Sequence, residues 1–497
     1  MTDPPSLGRQ VRKGLTWSLL NTVIGRVGTV LVGIVLARIL SPEDYGTFAV
    51  ALVALNALLS MNELGVSLAL IRWPAPNADR GVDPVREGPV GELDRIGPTV
   101  ATLAVGGSAG LYALCFLAAP WFAGVMGAPQ ATGVLRLLTA SVLIDGVTAV
   151  PSALLTREFR QDKRMLAEFV SFGISTAVSV GLALAGFGAW SLAWGRLAGN
   201  GASALAFLAL APVRYRPGWD GAEARRLLAF GLPLAGSSLL VFAMLNIDYV
   251  VVGSMLGPVA LGFYLMAFNL SSWPVNVFSV AARRVSLAGF SRLAEDPGRF
   301  AAAVTKGLAL LMAATVPVCV LLGVLAAPLV EFVYGPKWAP AAGALRWLAV
   351  LGAARVAAEL AYDALVAAGR PRATLWLQGL WTLALVPALT LGAYVGGISG
   401  VAAGHAVVAG LLILPAFALA VRRSGIGLGR MGAALARPVA GGAVVAAAAL
   451  AALRLGLPGG PFVELAVAGT AGMAGYALVV APMRRLLRDQ VPSAART

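Results

Sequence analysis

Charge is scarce in this chain. Only 12% of its 497 residues are Asp, Glu, Lys or Arg and 59% are apolar, against about 25% charged in ordinary soluble domains. Such a composition cannot cover a water-facing surface, which excludes a soluble globular protein. Lysine is nearly missing, with four residues beside thirty-four arginines. Histidine occurs once, as His405, and cysteine twice, as Cys115 and Cys319. Both cysteines sit inside apolar runs, read as small buried hydrophobes with no disulfide and no assigned role. No metal-ligand cluster, no nucleophile with a base and no Gly-rich loop ending in Lys and Ser or Thr is present, so neither an enzyme, nor a cofactor, nor ATP-driven transport on this chain is expected. The net charge of +15 would suggest nucleic acid only if it gathered on a soluble face, and it gathers on loops.

What the chain has instead is apolar runs. Fourteen are legible, at 15–36, 46–70, 99–119, 131–155, 165–186, 190–211, 229–255, 262–282, 305–327, 344–368, 373–394, 400–421, 433–453 and 462–483, each about long enough to cross a bilayer as a helix. The first is too long for a signal-peptide core and carries Arg26 in its middle, so it is expected to stay as a helix. Thirty of the 38 basic residues fall on one set of alternate connecting segments and five on the other. That bias predicts both termini on the cytoplasmic side.

An internal repeat divides the chain. Leu40, Pro42, Gly46 and Phe48 after span 1 are matched 216 residues later by Leu256, Pro258, Gly262 and Tyr264 after span 7. Spans six apart enter the membrane in the same direction, so the fold expected is an all-α polytopic membrane protein of two parallel-repeat lobes of six helices, 1–212 and 213–421, followed by two extra helices in 422–497.

Eight charges lie inside or at the inner ends of the spans: Arg26, Glu63, Asp145, Arg196, Asp248, Arg355, Glu359 and Asp363. A charge near the centre of a membrane helix costs about 2.5–3.5 kcal/mol even on mild scales, so these residues must face water, a partner or a substrate. Two readings stay open, a functional hydrated cavity or structural ion pairs. Arg355 and Glu359, four apart on one helix, can neutralise each other. Uncharged stripes, such as Ser141, Thr148 and Ser152 or Asn269, Ser272, Asn276 and Ser279, suit either a wet cavity or close helix packing. His405, alone in an apolar helix, is read as a packing residue.

The segments Ala37 Arg38 Ile39 Leu40 Ser41 Pro42 Glu43 Asp44 Tyr45 Gly46, Leu154 Leu155 Thr156 Arg157 Glu158 Phe159 Arg160, Gly186 Phe187 Gly188 Ala189 Trp190 and Asn246 Ile247 Asp248, in this order and spacing, resemble the polysaccharide exporters, or lipid-linked oligosaccharide flippases, of the multidrug/oligosaccharidyl-lipid/polysaccharide exporter superfamily. The resemblance implies an inner-membrane transporter, working by alternating access, that carries an undecaprenyl-pyrophosphate-linked oligosaccharide across for exopolysaccharide or lipopolysaccharide synthesis. Its partners would be that lipid, membrane lipids, a polysaccharide polymerase and glycosyltransferases, with no nucleic acid. On this reading Arg26, Arg196 and Arg355 are the cations available to the pyrophosphate, and Asp248, Asp145, Glu63, Glu359 and Asp363 are candidates for a coupling H⁺ or Na⁺. The alternatives are a multidrug cation antiporter of the same superfamily and a lipid-linked peptidoglycan precursor flippase. A membrane-embedded glycosyl polymerase or ligase is disfavoured, because the longest outer segment is short.

Overall fold

The computed structural model describes residues 28–62, 89–157, 160–211, 217–293, 295–455 and 458–481. Helices dominate, and there is no strand among the described residues. Among the described residues, ten stretches are long and apolar enough to cross a membrane. Two of these, Gly221–Ser279 and Pro371–Arg422, are each a pair of spans. The first breaks at Gly257 (φ 81°, ψ 178°) and the second at Gly396 and Gly397, where φ reaches 54°. Adding the apolar helix Gly28–Ile39 and the helix Ala189–Leu210, whose Arg196 and Asn200 lower its hydropathy, yields the fourteen spans read from the sequence. Span 3 runs longer than expected, Pro89–Val125, and span 4 is split at Ala140 into Thr132–Thr139 and Ser141–Arg157. Outward-facing Leu117, Trp376, Tyr394, Val395 and Leu478 are more than three-quarters exposed. Apolar faces of that kind suit lipid contact.

The chain divides into two compact units, Met1–Gly262 and Phe263–Thr497. In the first, Ala51, Leu55 and Leu58 of span 2 pack on Val134, Leu135 and Leu138 of span 4 and Ala193 of span 6. Span 7 belongs to this unit, and its start is tied to span 3. Thr102 Oγ1 donates to the Gly218 carbonyl, Thr99 Oγ1 accepts from Asp220 N–H, and the Asp220 carboxylate then accepts from the amides of Ala222 and Glu223 to open the helix. In the second unit, Phe290, Phe300, Leu308, Val356, Leu360 and Phe417 form the core. Spans 13 and 14, Leu428–Arg454 and Gly460–Val480, lean on span 9 there, with Gly441 under the Tyr476 ring and Gly442 against Val316.

The motif that follows span 1 has a mechanical explanation. Ser41 Oγ accepts from Asp44 N–H while Asp44 Oδ2 accepts from Ser41 N–H and Oγ–H, a reciprocal cap at the start of the helix Pro42–Asn62. The other oxygen, Oδ1, accepts from Ala189 N–H at the start of span 6. Asp44 therefore pins the turn between spans 1 and 2 to the turn between spans 5 and 6. The two copies of the repeated motif also meet. A Cβ at Gly46 would overlap the Pro258 carbonyl, and one at Gly262 would press on the Pro42 carbonyl and the Gly46 amide. Glycine is required at both because backbone approaches backbone, and backbone cannot move aside as a flexible side chain can. Gly46→Val is thus expected to cost about 1–3 kcal/mol as an overpacked site. Thermal unfolding of detergent-purified protein checks this against Gly110→Ala, where a Cβ meets nothing within 4 Å and stability should hold.

Candidate functional site

The polar stripes resolve into two kinds. Ser60, Thr148, Ser272 and Thr382 each turn their hydroxyls back to a carbonyl four residues earlier on their own helix, which satisfies them without water. Others make room for neighbours. Ser108 of span 3 lies against Gly146 of span 4, and Ser171, Ser175 and Ser179 of span 5 lie against Gly199 and Gly195 of span 6. These positions are packing surfaces of the small-residue type found between membrane helices.

Two electrostatic interactions between helices involve these charged positions. Spans 4 and 6 pack on one another, and Arg196 of span 6 acts electrostatically on Asp145 of span 4. Neither residue has an opposite charge within four positions along its own helix, so this contact could not be read from helical spacing. In the second unit Arg355 of span 10 acts electrostatically on His405 of span 12. The ring Nδ1 of His405 is enclosed and has no hydrogen-bond partner among the described residues. Glu359 is half-buried one turn beyond Arg355, and Asp363 is buried a further turn along.

These two pairs occupy equivalent places in the repeat. Val134 Leu135 Arg136 Leu137 Leu138 opens span 4 as Ala344 Leu345 Arg346 Trp347 Leu348 opens span 10, and Asp145 and Arg355 each follow nine residues after the arginine (136 to 145, 346 to 355). Leu135 and Leu345 are both wholly buried. The far ends agree as well, because Arg160 N–H bonds to the Leu155 carbonyl just as Arg370 N–H bonds to that of Leu365. Spans 6 and 12 both start from a glycine in one unusual conformation, Gly188 at φ 55°, ψ −133° and Gly397 at φ 54°, ψ −139°. Arg196 and His405 each follow eight residues later. The repeat thus extends well beyond the motif at spans 1 and 7.

Asp248 is buried at 1% exposure, with Oδ1 accepting from Tyr249 N–H, while Asn246 Nδ2 donates to the Phe242 carbonyl. Arg26 and Glu63 lie outside the described residues. Among the described residues there is no group of three or more His, Cys, Asp or Glu placed to hold a metal ion.

Residues 35–343 match the profile of a family described as polysaccharide biosynthesis protein. The chain belongs to this family. Among relatives of this polysaccharide biosynthesis protein, the succinoglycan biosynthesis transport protein ExoT of Rhizobium meliloti is 29% identical over 355 residues, covering 70% of this chain and 67% of that one. The lipopolysaccharide biosynthesis protein WzxC of Escherichia coli is 24% identical over 417 residues, 81% and 79% of the two chains. Solved structures with the same fold include a lipid II flippase MurJ in an inward closed conformation, with TM-score 0.74, 15% identity and coverage of 95% of this chain and 99% of that one. An inward-facing multidrug resistance transporter of the MATE family gives TM-score 0.59 and 18% identity over 80% and 94%. The last two are likenesses of fold alone.

Proposed function

We propose that this protein is a flippase that moves a lipid-linked oligosaccharide repeat unit across the bacterial inner membrane by alternating access, making and breaking no bond. The observation that carries the proposal is sequence likeness, over most of the chain, to two proteins named for succinoglycan transport and lipopolysaccharide biosynthesis. The fold is shared with both lipid and drug transporters and does not separate them. Sequence relatives with polysaccharide names favour the oligosaccharide reading over the drug antiporter.

The physical task is to pass a sugar and diphosphate head group through hydrocarbon while the polyprenyl tail stays in lipid. Fixed cations in a low-dielectric site hold a diphosphate strongly, and the planar arginine fork matches its oxygens. Arg355 and Arg26 are assigned to that role, with Arg196 held largely by Asp145. The inner carboxylates Asp145, Asp248, Glu63, Glu359 and Asp363 are where a coupling H⁺ or Na⁺ would bind. A ligand must bind the inward-open and outward-open states unequally to drive exchange between them. Polymerase and glycosyltransferases would supply and consume the substrate on opposite faces.

Reconstitution into liposomes with a fluorescent polyprenyl-diphosphate oligosaccharide tests the proposal. Head groups sealed inside should become accessible to an impermeant quencher at a rate above that of protein-free liposomes. An unchanged rate, with correctly folded protein present, contradicts it. The proposed orientation, both termini cytoplasmic, has its own test. Pro84→Cys should resist an impermeant thiol reagent in intact cells and react after permeabilisation, and labelling in intact cells would reverse the topology.

A further inference from the structure

Span 9, the helix Pro297–Val324, carries a buried proline in its interior, Pro317. Proline has no N–H to donate, so the carbonyl four residues earlier, that of Ala313, loses its partner within the helix. Tyr476 of span 14 supplies the missing donor, its hydroxyl donating to the Ala313 carbonyl at 2.5 Å. The ring behind this hydroxyl is 6% exposed and lies on Gly441 of span 13, where a Cβ would fall 2.6 Å from Cε2. Further contacts of these two spans straddle the same point. Gly442 of span 13 seats on Val316, just before the proline, and Gly472 of span 14, one turn before Tyr476, seats on Leu321, one turn after the proline. On span 9 itself Thr315 Oγ1 turns back to the Leu311 carbonyl, a bond of the kind that bends helices.

Pro317 has no counterpart in the first half. Ala118 Ala119 Pro120 and Gly127 match Ala326 Ala327 Pro328 and Gly335 at one offset (120 to 328, 127 to 335), with φ 64° and 98° at the two glycines, and this register puts Ala109 where Pro317 stands. The first half answers its own proline from within the repeat, since Pro120 frees the Phe116 carbonyl and Arg136 Nε of span 4 donates to it at 3.1 Å. The second half has an additional joint and, outside the repeat, two additional spans that meet it. We infer that spans 13 and 14 are a brace for a flexible joint at Pro317 in span 9, with the Tyr476 hydroxyl as its latch. A helix short of one backbone hydrogen bond bends there at low cost, and in a bilayer there is no water to take the freed carbonyl. The angle between the two parts of span 9 is therefore set by the donor that reaches Ala313. Tyr476 reaches it while span 14 lies on Leu321 and span 13 backs the ring. Parting that contact leaves an unpaired carbonyl in an apolar surround, so span 9 opens about its joint less readily with the latch closed.

Hydrogen exchange of the full-length protein in lipid nanodiscs, read by mass spectrometry on span 9 peptides that contain Ala313 to Leu321, tests the brace. Tyr476→Phe keeps the ring and removes the hydroxyl, and exchange in those peptides should quicken about fivefold, the worth of one net hydrogen bond. Gly441→Ala, which lifts the ring, should act in the same direction. Pro317→Ala returns the backbone donor and makes the hydroxyl redundant, so in that background Tyr476→Phe should leave exchange unchanged. Peptides of span 5, Gln161–Leu184, are the control and should exchange alike in every variant. Where Tyr476→Phe alone fails to reach the membrane, the double variant with Pro317→Ala must restore it, and failure of the double overturns the inference. Exchange in Tyr476→Phe equal to wild type overturns it as well. So does an effect of Tyr476→Phe that is undiminished with alanine at 317, which would make Tyr476 a packing residue only.

Discussion

Asp145→Ala is expected to lower the unfolding temperature of the protein substantially. It leaves Arg196 facing span 4 with no carboxylate, and breaking such a pair from one side costs about 3 kcal/mol, the lower end of the range for fully buried pairs because both residues are half-buried. Domains are stable by only about 5–15 kcal/mol, so this is a large share. The double change Asp145→Ala with Arg196→Ala should recover much of the loss, since two neutral residues demand no partner. Measuring thermal unfolding for both singles and the double yields the coupling between the two positions. A coupling near zero would mean that the two charges are solvated separately.

Arg355→Gln should have the opposite signature. Across helices its guanidinium acts on the His405 imidazole, and Glu359 lies one turn along its own helix, so removing it should lower the unfolding temperature less than Asp145→Ala does. Transport should fall by a hundredfold or more, about 3 kcal/mol, as when a charge-assisted contact to a phosphate is lost. Lysine at 355 should restore part of it, because a point charge lacks the fork. Equal losses of stability in Arg355→Gln and Asp145→Ala would make both pairs structural.

Much of this was legible from residues alone. Fourteen runs, the repeat and the superfamily resemblance follow from hydropathy and spacing, because a bilayer imposes one element length and forbids unsatisfied backbone. The pairing of charges was not legible in the same way. Helical spacing reveals partners on one helix, and Asp145 acts on Arg196 across fifty-one positions of chain (145 to 196) because spans 4 and 6 pack on one another. The electrostatic neighbour of His405, Arg355, likewise lies on another helix. One signal could have exposed it. Aligning Val134–Leu138 with Ala344–Leu348, and Gly188 with Gly397, puts Asp145 over Arg355 and Arg196 over His405, but the residue types differ at those very positions and so hide the correspondence. Asp44 carried its meaning openly as a capping acid, yet its second oxygen reaches a turn 145 residues away, which no local pattern announces.

The central claim is that Arg355 handles a diphosphate head group during flipping. It is tested most directly by quencher-accessibility assays in proteoliposomes carrying wild type or Arg355→Gln, each loaded with the same oligosaccharide on either a polyprenyl diphosphate or an uncharged polyprenyl carrier. The expected result is fast flipping of the diphosphate by wild type, at least a hundredfold slower flipping by Arg355→Gln, and no flipping of the uncharged carrier by either. Equal rates for wild type and Arg355→Gln on the diphosphate would contradict it.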